Sequence, residues 1–195
     1  EISLAAHAVP SNFAKRQCQA LSRKNPPKIT IAYNYGELKY DNKHTSDELA
    51  GMLEKMPNKK IAAEKKINGL THLSPYMSVE SNIVEKEIGG AYCYYPQRVK
   101  LIVGYNPIVY IRNDLQETPC RYNVTLRHER THLDIGDFCM QQFLRKMKLL
   151  FPRMVKDVGV VIKAAHEDFD AQDASSELND LYHKRMSSQF HEVVD

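Results

Sequence analysis

The chain has 195 residues, of which 43% are hydrophobic, and a formal net charge of +3; that is enough for one sizeable core. Its basic residues are dispersed. The densest group, Lys59-Lys60 and Lys65-Lys66, is interrupted by Ile61, Ala62, Ala63 and Glu64, so no nucleic-acid footprint stands out, and no apolar run reaches the ~18 residues of a membrane span.

The first residues suggest export. Leu4-Ala5-Ala6-His7-Ala8 before Val9-Pro10 has the small-x-small form found where a signal peptide ends, with Ala6-His7-Ala8 at the cleavage position. Residues 1–10 therefore read as a signal-peptide remnant or a flexible N-terminus, and 11–195 as one domain. Four cysteines, Cys18, Cys93, Cys120 and Cys139, match the even count of an exported, disulfide-bonded protein, and none forms a CxxC pair. Three pairings are open. Cys120 and Cys139 bracket a helical pattern whose ends would lie ~28 Å apart, beyond bridging distance. The expected bonds are Cys93 with Cys120 and Cys18 with Cys139.

In chain order, residues 11–24 permit a short helix capped by Ser11 or Asn12 and ended by Asn25-Pro26-Pro27. Residues 28–35 (KITIAYNY) are rich in β-branched and aromatic side chains and read as a strand closed by Gly36. Thr45 or Ser46 then caps a helix with Leu49, Met52, Leu53 and Met56 on one face, stopped by Pro57-Asn58. Residues 59–74 carry no decisive pattern. Beyond Tyr76, with Met77, Val79 and Ile83, the pattern turns to β. Gly89-Gly90 marks a break, and short runs at 91–95, 99–103 and 108–111 are divided by Pro96 and by 104–107. These runs predict a small antiparallel sheet.

The last run leads almost directly into Arg127-His128-Glu129-Arg130-Thr131-His132, an uninterrupted H-E-x-x-H. The surrounding apolar spacing (Leu126, Leu133, Phe138, Phe143, Met147, Leu150) predicts a helix, on which residues four apart project from one face. His128 and His132 are thus half of a zinc site. Glu129 in this motif does not bind the metal but reaches its water as general base. A zinc-bound water ionises near neutrality, so the pattern points to metal-assisted hydrolysis. A solvated, charged helix face is the plainer alternative.

Such a site needs one more His, Asp or Glu. The metzincin pattern is excluded, because Ile135 stands where its glycine would be and Phe138 where its third histidine would be. If the helix breaks at Phe151-Pro152 and a second helix over 153–184 folds back, residue 132 faces about residue 171. Asp170 is then the first candidate for the third ligand, His166 the second, with Asp173 and Glu177 behind them. Tyr182 or His183 offers an oxyanion donor, although Tyr182 also reads as packed core.

These residues resemble a family of bacterial exported proteins classed as predicted secreted zinc-dependent proteases. The likeness lies in Tyr92-Cys93-Tyr94, the β run ending at 108–111, the helix around His128 to His132, and Phe169-Asp170-Ala171, similar to the family's Tyr-Asp-Ala element. It covers roughly the second half of the chain. The sequence departs from the family at Asp173, Ser175 and Ser176, where members often carry a threonine and then a His-Gly pair. The resemblance implies a zincin-like fold, export, and the usual roles for His128, His132 and Glu129.

The expected architecture is therefore α+β and zincin-like: a small antiparallel sheet packed on a long HExxH helix, followed by an antiparallel helix. The expected function is that of a gluzincin-like zinc metallopeptidase, secreted or periplasmic, acting on a peptide or protein substrate, with Zn²⁺ on His128, His132 and Asp170 and Glu129 as base. The alternative is a non-catalytic zincin-like binding protein of the cell envelope or secreted fraction.

Overall fold

The computed structural model describes residues 9–55, 66–164 and 168–194. The signal-peptide motif, Met56, the stop at Pro57-Asn58 and His166 lie outside them. Among the described residues the fold is mixed α and β, with four α-helices and one five-stranded sheet. No helix there is long and apolar enough to cross a membrane.

The first elements are set by local chemistry. Helix α1 (Asn12–Lys24) starts where Ser11 Oγ accepts the Ala14 N–H at 3.2 Å, and Pro26-Pro27 follows its end. Strand β1 spans Lys28–Tyr35. Helix α2 (Ser46–Glu54) opens with a capping box: Thr45 N–H donates to Glu48 Oε2 at 2.7 Å, and Glu48 N–H donates back to Thr45 Oγ1 at 3.3 Å. The Thr45 backbone N–H, ahead of its hydroxyl, holds the Glu48 carboxyl below the usual range.

Two departures from the sequence reading concern the sheet. The three short runs are one 21-residue strand, β4 (Ala91–Ile111), paired with the 20-residue β3 (Gly69–Ile88). Gly89 and Gly90, with φ of 58° and 77°, make the two-residue turn between them, a conformation that glycine adopts without cost. Pro96 and Pro107 lie within β4 but outside its pairings with β5 and β2. Pro96 lies beyond the last pair with β5 (Val161–Ala164), Tyr94 with Val161, and Pro107 precedes the first pair with β2 (Lys39–Asp41), Lys39 with Ile108. The β2 pairing is parallel, so the sheet is mixed rather than antiparallel throughout.

Helix α3 runs from Pro119 to Val158, 40 residues, and passes through Pro152. The expected break at Phe151-Pro152 is absent. Met147, Phe151 and Val155 form a buried stripe on either side of the proline, while Lys148, whose carbonyl loses its partner, is on the exposed side. The helix ends instead at Gly159, φ 76°, whose N–H donates to the Val155 carbonyl. Strand β5 then intervenes before helix α4 (Ala171–Val194). The expected direct helical hairpin is therefore replaced by helix, strand, helix, and the register that matched residue 132 with 171 no longer applies.

The chain divides into two compact units. The first comprises Glu1–Ala32, Met77–Ile102 and Lys146–Ser188. Its core includes Tyr94, Val99, Leu101, Phe151, Leu178 and Tyr182, with Phe151 and Tyr182 rings in edge contact. A disulfide joins Cys18 and Cys93 across 5.4 Å between Cα atoms. This overturns both expected pairings. Cys18 follows Ala14 by one turn on the buried side of α1 and Cys93 is on the buried face of β4, whereas Cys120 is exposed and, like Cys139, a free thiol.

The second unit comprises Tyr33–Tyr76, Val103–Arg145 and Gln189–Asp195. Val109 and Ile111 of β4 meet Leu115 and Leu133 in its core, flanked by Leu38, Leu73, Tyr122 and Leu126. Leu133 and Leu126 seat the start of α3, so its opposite face carries the histidines.

Candidate active site

The H-E-x-x-H lies on this N-terminal part of α3. Proline is well suited to the first helical position of Pro119, and Tyr122 N–H then bonds the Thr118 carbonyl at 3.0 Å. One turn apart, His128 and His132 are both exposed. Their Nε2 atoms are 3.2 Å apart, with ring centroids 4.8 Å apart and planes at 89°. Two nitrogens at that separation can both lie ~2.05 Å from a single point, subtending ~103°, close to a tetrahedral angle. The pair therefore offers two of the three protein ligands that a zinc site of this kind needs.

Glu129 points to a different environment. It is only 4% exposed, and its Oε2 accepts a hydrogen bond from Thr71 Oγ1 at 2.7 Å. The same hydroxyl lies 3.0 Å from the Glu129 carbonyl oxygen. The carboxylate rests on the first residue of β3: a Cβ at Gly69 would come within 2.7 Å of Glu129 Oε1. At Gly136 a Cβ would meet Leu73 Cδ1 of the same strand at 2.3 Å. The glycines thus let strand and helix approach closely over the motif, and Thr71 fixes the carboxylate between them.

Two cavities open at this point within the second unit. One, about 400 Å³, runs past His128, Glu129 and His132 towards Leu73, Ile135 and Met140. The other, about 470 Å³, is reached from His128 and Glu129 on the side of Lys66, Asn68 and Thr125. Further along the helix Asp137 accepts from the Tyr33 hydroxyl at 2.5 Å. Burial first, and then Asp137, keeps the Tyr33 phenol protonated well above its ordinary range. Burial likewise pushes Tyr105, which lines the first cavity, up to about 12.

The structure brings together three of the expected site residues, His128, Glu129 and His132. Asp170 belongs to the first unit, where its Oδ1 accepts the Gln172 and Asp173 N–H groups at 2.7 and 2.9 Å and caps α4. Asp173 returns a bond from Oδ2 to Asp170 N–H, and Glu177 pairs with Lys163 at 3.2 Å. Tyr182 is core, in the first unit. Among the described residues, no group of three or more His, Cys, Asp and Glu side chains gathers in a metal-holding arrangement. Sequence reasoning missed Thr71 and Gly69. Both lie in the stretch 59–74, which carries no decisive pattern, and Thr71 had no local signature.

Together these features define an α+β protein whose H-E-x-x-H helix is packed against a long strand. No protein-family model matches the chain, and neither curated proteins nor solved structures show a significant similarity to it.

Proposed function

We propose that this protein is a zinc-dependent peptidase in which His128 and His132 hold the metal and Glu129 is the general base. The observation that carries the reading is the 3.2 Å approach of the two Nε2 atoms beside a carboxylate held by Thr71 at the meeting point of two cavities. Zinc, when bound, supplies Lewis acidity that polarises a carbonyl and makes water acidic near neutrality. Glu129 takes the proton of the attacking water and returns it to the nitrogen of the leaving amine. Thr71 keeps that carboxylate in place, and the helix keeps the two imidazoles in register. The Cys18–Cys93 bond fits an oxidising compartment and hence a secreted or periplasmic protein.

The test is hydrolysis of a mixed peptide pool by the zinc-loaded protein, with Glu129→Gln as comparison. Loss of the base should lower turnover by a factor of about 10²–10⁴ while bound zinc is retained. Equal hydrolysis by the variant would overturn the mechanism. Zinc binding with no hydrolysis by either protein would replace it with the reading of a zincin-like binding protein that does not turn over.

A further inference from the structure

The two cavities meeting at His128 and Glu129 differ in chemistry, and the difference specifies a substrate. Beyond the motif, the first is walled by Leu70, Leu73, Ile135 and Met140 and, among the described residues, holds no charged side chain other than Glu129. Ile135 is 54% exposed, a large apolar side chain left in water at the edge of this cavity. A bulky apolar group seated there would remove that surface from solvent.

The second cavity carries Lys66, an exposed cation. Among the described residues its one anionic lining residue is Glu129, already bonded to Thr71. A cation at an open cavity calls for a carboxylate. A peptide with an acidic group on that side supplies it.

From this asymmetry we infer that the substrate is a peptide with a bulky apolar side chain on one side of the cleaved bond and a carboxylate on the other, facing Lys66. The inference rests on the peptidase reading above and deepens it. The carboxylate has two sources, an Asp or Glu side chain or the free C-terminus of the peptide.

The zinc-loaded protein is incubated with a diverse peptide pool, and cleavage sites that Glu129→Gln does not produce are read by mass spectrometry. Matched peptides then compare Glu with Gln, and free with amidated C-termini, at the charged side. The expected result is a large aliphatic or aromatic residue on one side and a carboxylate on the other, with about a fivefold preference over the uncharged counterpart. Lys66→Gln should abolish that preference, and Lys66→Glu should turn it towards Lys and Arg. Loss of preference only on amidation assigns the carboxylate to the C-terminus; loss only on Glu to Gln exchange assigns it to a side chain. Glu129-dependent cleavage without this pattern, or a pattern unchanged in both Lys66 variants, overturns the inference alone. Absence of any Glu129-dependent cleavage overturns it together with the peptidase reading.

Discussion

Replacing Thr71 by valine keeps the shape of the side chain and removes one hydroxyl, the donor that faces Glu129 Oε2 at 2.7 Å. Glu129 is 4% exposed, so water does not readily take the vacated place. A hydrogen bond to a charged group is worth about 1.5–3 kcal/mol, and an orphaned buried partner is the costly case. The expected loss is about 2 kcal/mol of stability for the metal-free protein, or about 4–8 °C in Tm for a chain of this size. Urea unfolding at neutral pH measures it through the shift in midpoint at constant slope. The partner can be checked directly: in the Glu129→Gln background Thr71→Val should cost less, giving a coupling of about 1–2 kcal/mol in the double-mutant cycle. A change below about 0.5 kcal/mol for Thr71→Val, or strict additivity in the cycle, would show that the strand does not hold the carboxylate.

Two further outcomes follow from the structure. The Cys18–Cys93 bond closes a loop of sequence separation 75, which in the chain-entropy account corresponds to about 4 kcal/mol; reduction, or exchange of both residues for serine, should lower the unfolding midpoint accordingly, while Cys120→Ser should leave it nearly unchanged. Burial raises the Tyr105 phenol from 10.0 to about 12, so between those pH values the unfolded chain ionises and the folded one does not. Stability contributed by this group is complete below pH ~10 and is lost as pH rises towards about 12. Tyr105→Phe should flatten that part of the stability profile, and an unchanged alkaline slope would contradict the assignment.

What was legible in the sequence was what neighbouring residues decide. The capping residues at Ser11 or Asn12 and at Thr45 or Ser46 and the Pro26-Pro27 pair placed α1 and α2, and β-branched and aromatic residues marked β1, because caps and propensities act within a turn or two. The same locality exposed His128, Glu129 and His132. What failed depended on partners distant in the chain. Pro96 and Pro107 looked like strand ends until β5 and β2 supplied pairings that avoid them. Pro152 looked like a helix end, but the buried stripe of Met147, Phe151 and Val155 continues through it. Thr71 reaches Glu129 across a separation of 58 residues, and no spacing rule announces such a contact. The disulfide pairing was misread for the same reason, since buried faces brought Cys18 to Cys93.

The central claim is that the two imidazoles on α3 hold a zinc ion, and metal content tests it most directly. Purified wild-type protein and a His128→Ala variant are exposed to stoichiometric zinc, freed of unbound metal and measured by mass spectrometry, with circular dichroism to establish that both are folded. The expected result is a single zinc ion per wild-type chain and none in the variant. A folded wild-type protein that retains no zinc, or a variant that retains as much, would contradict the claim.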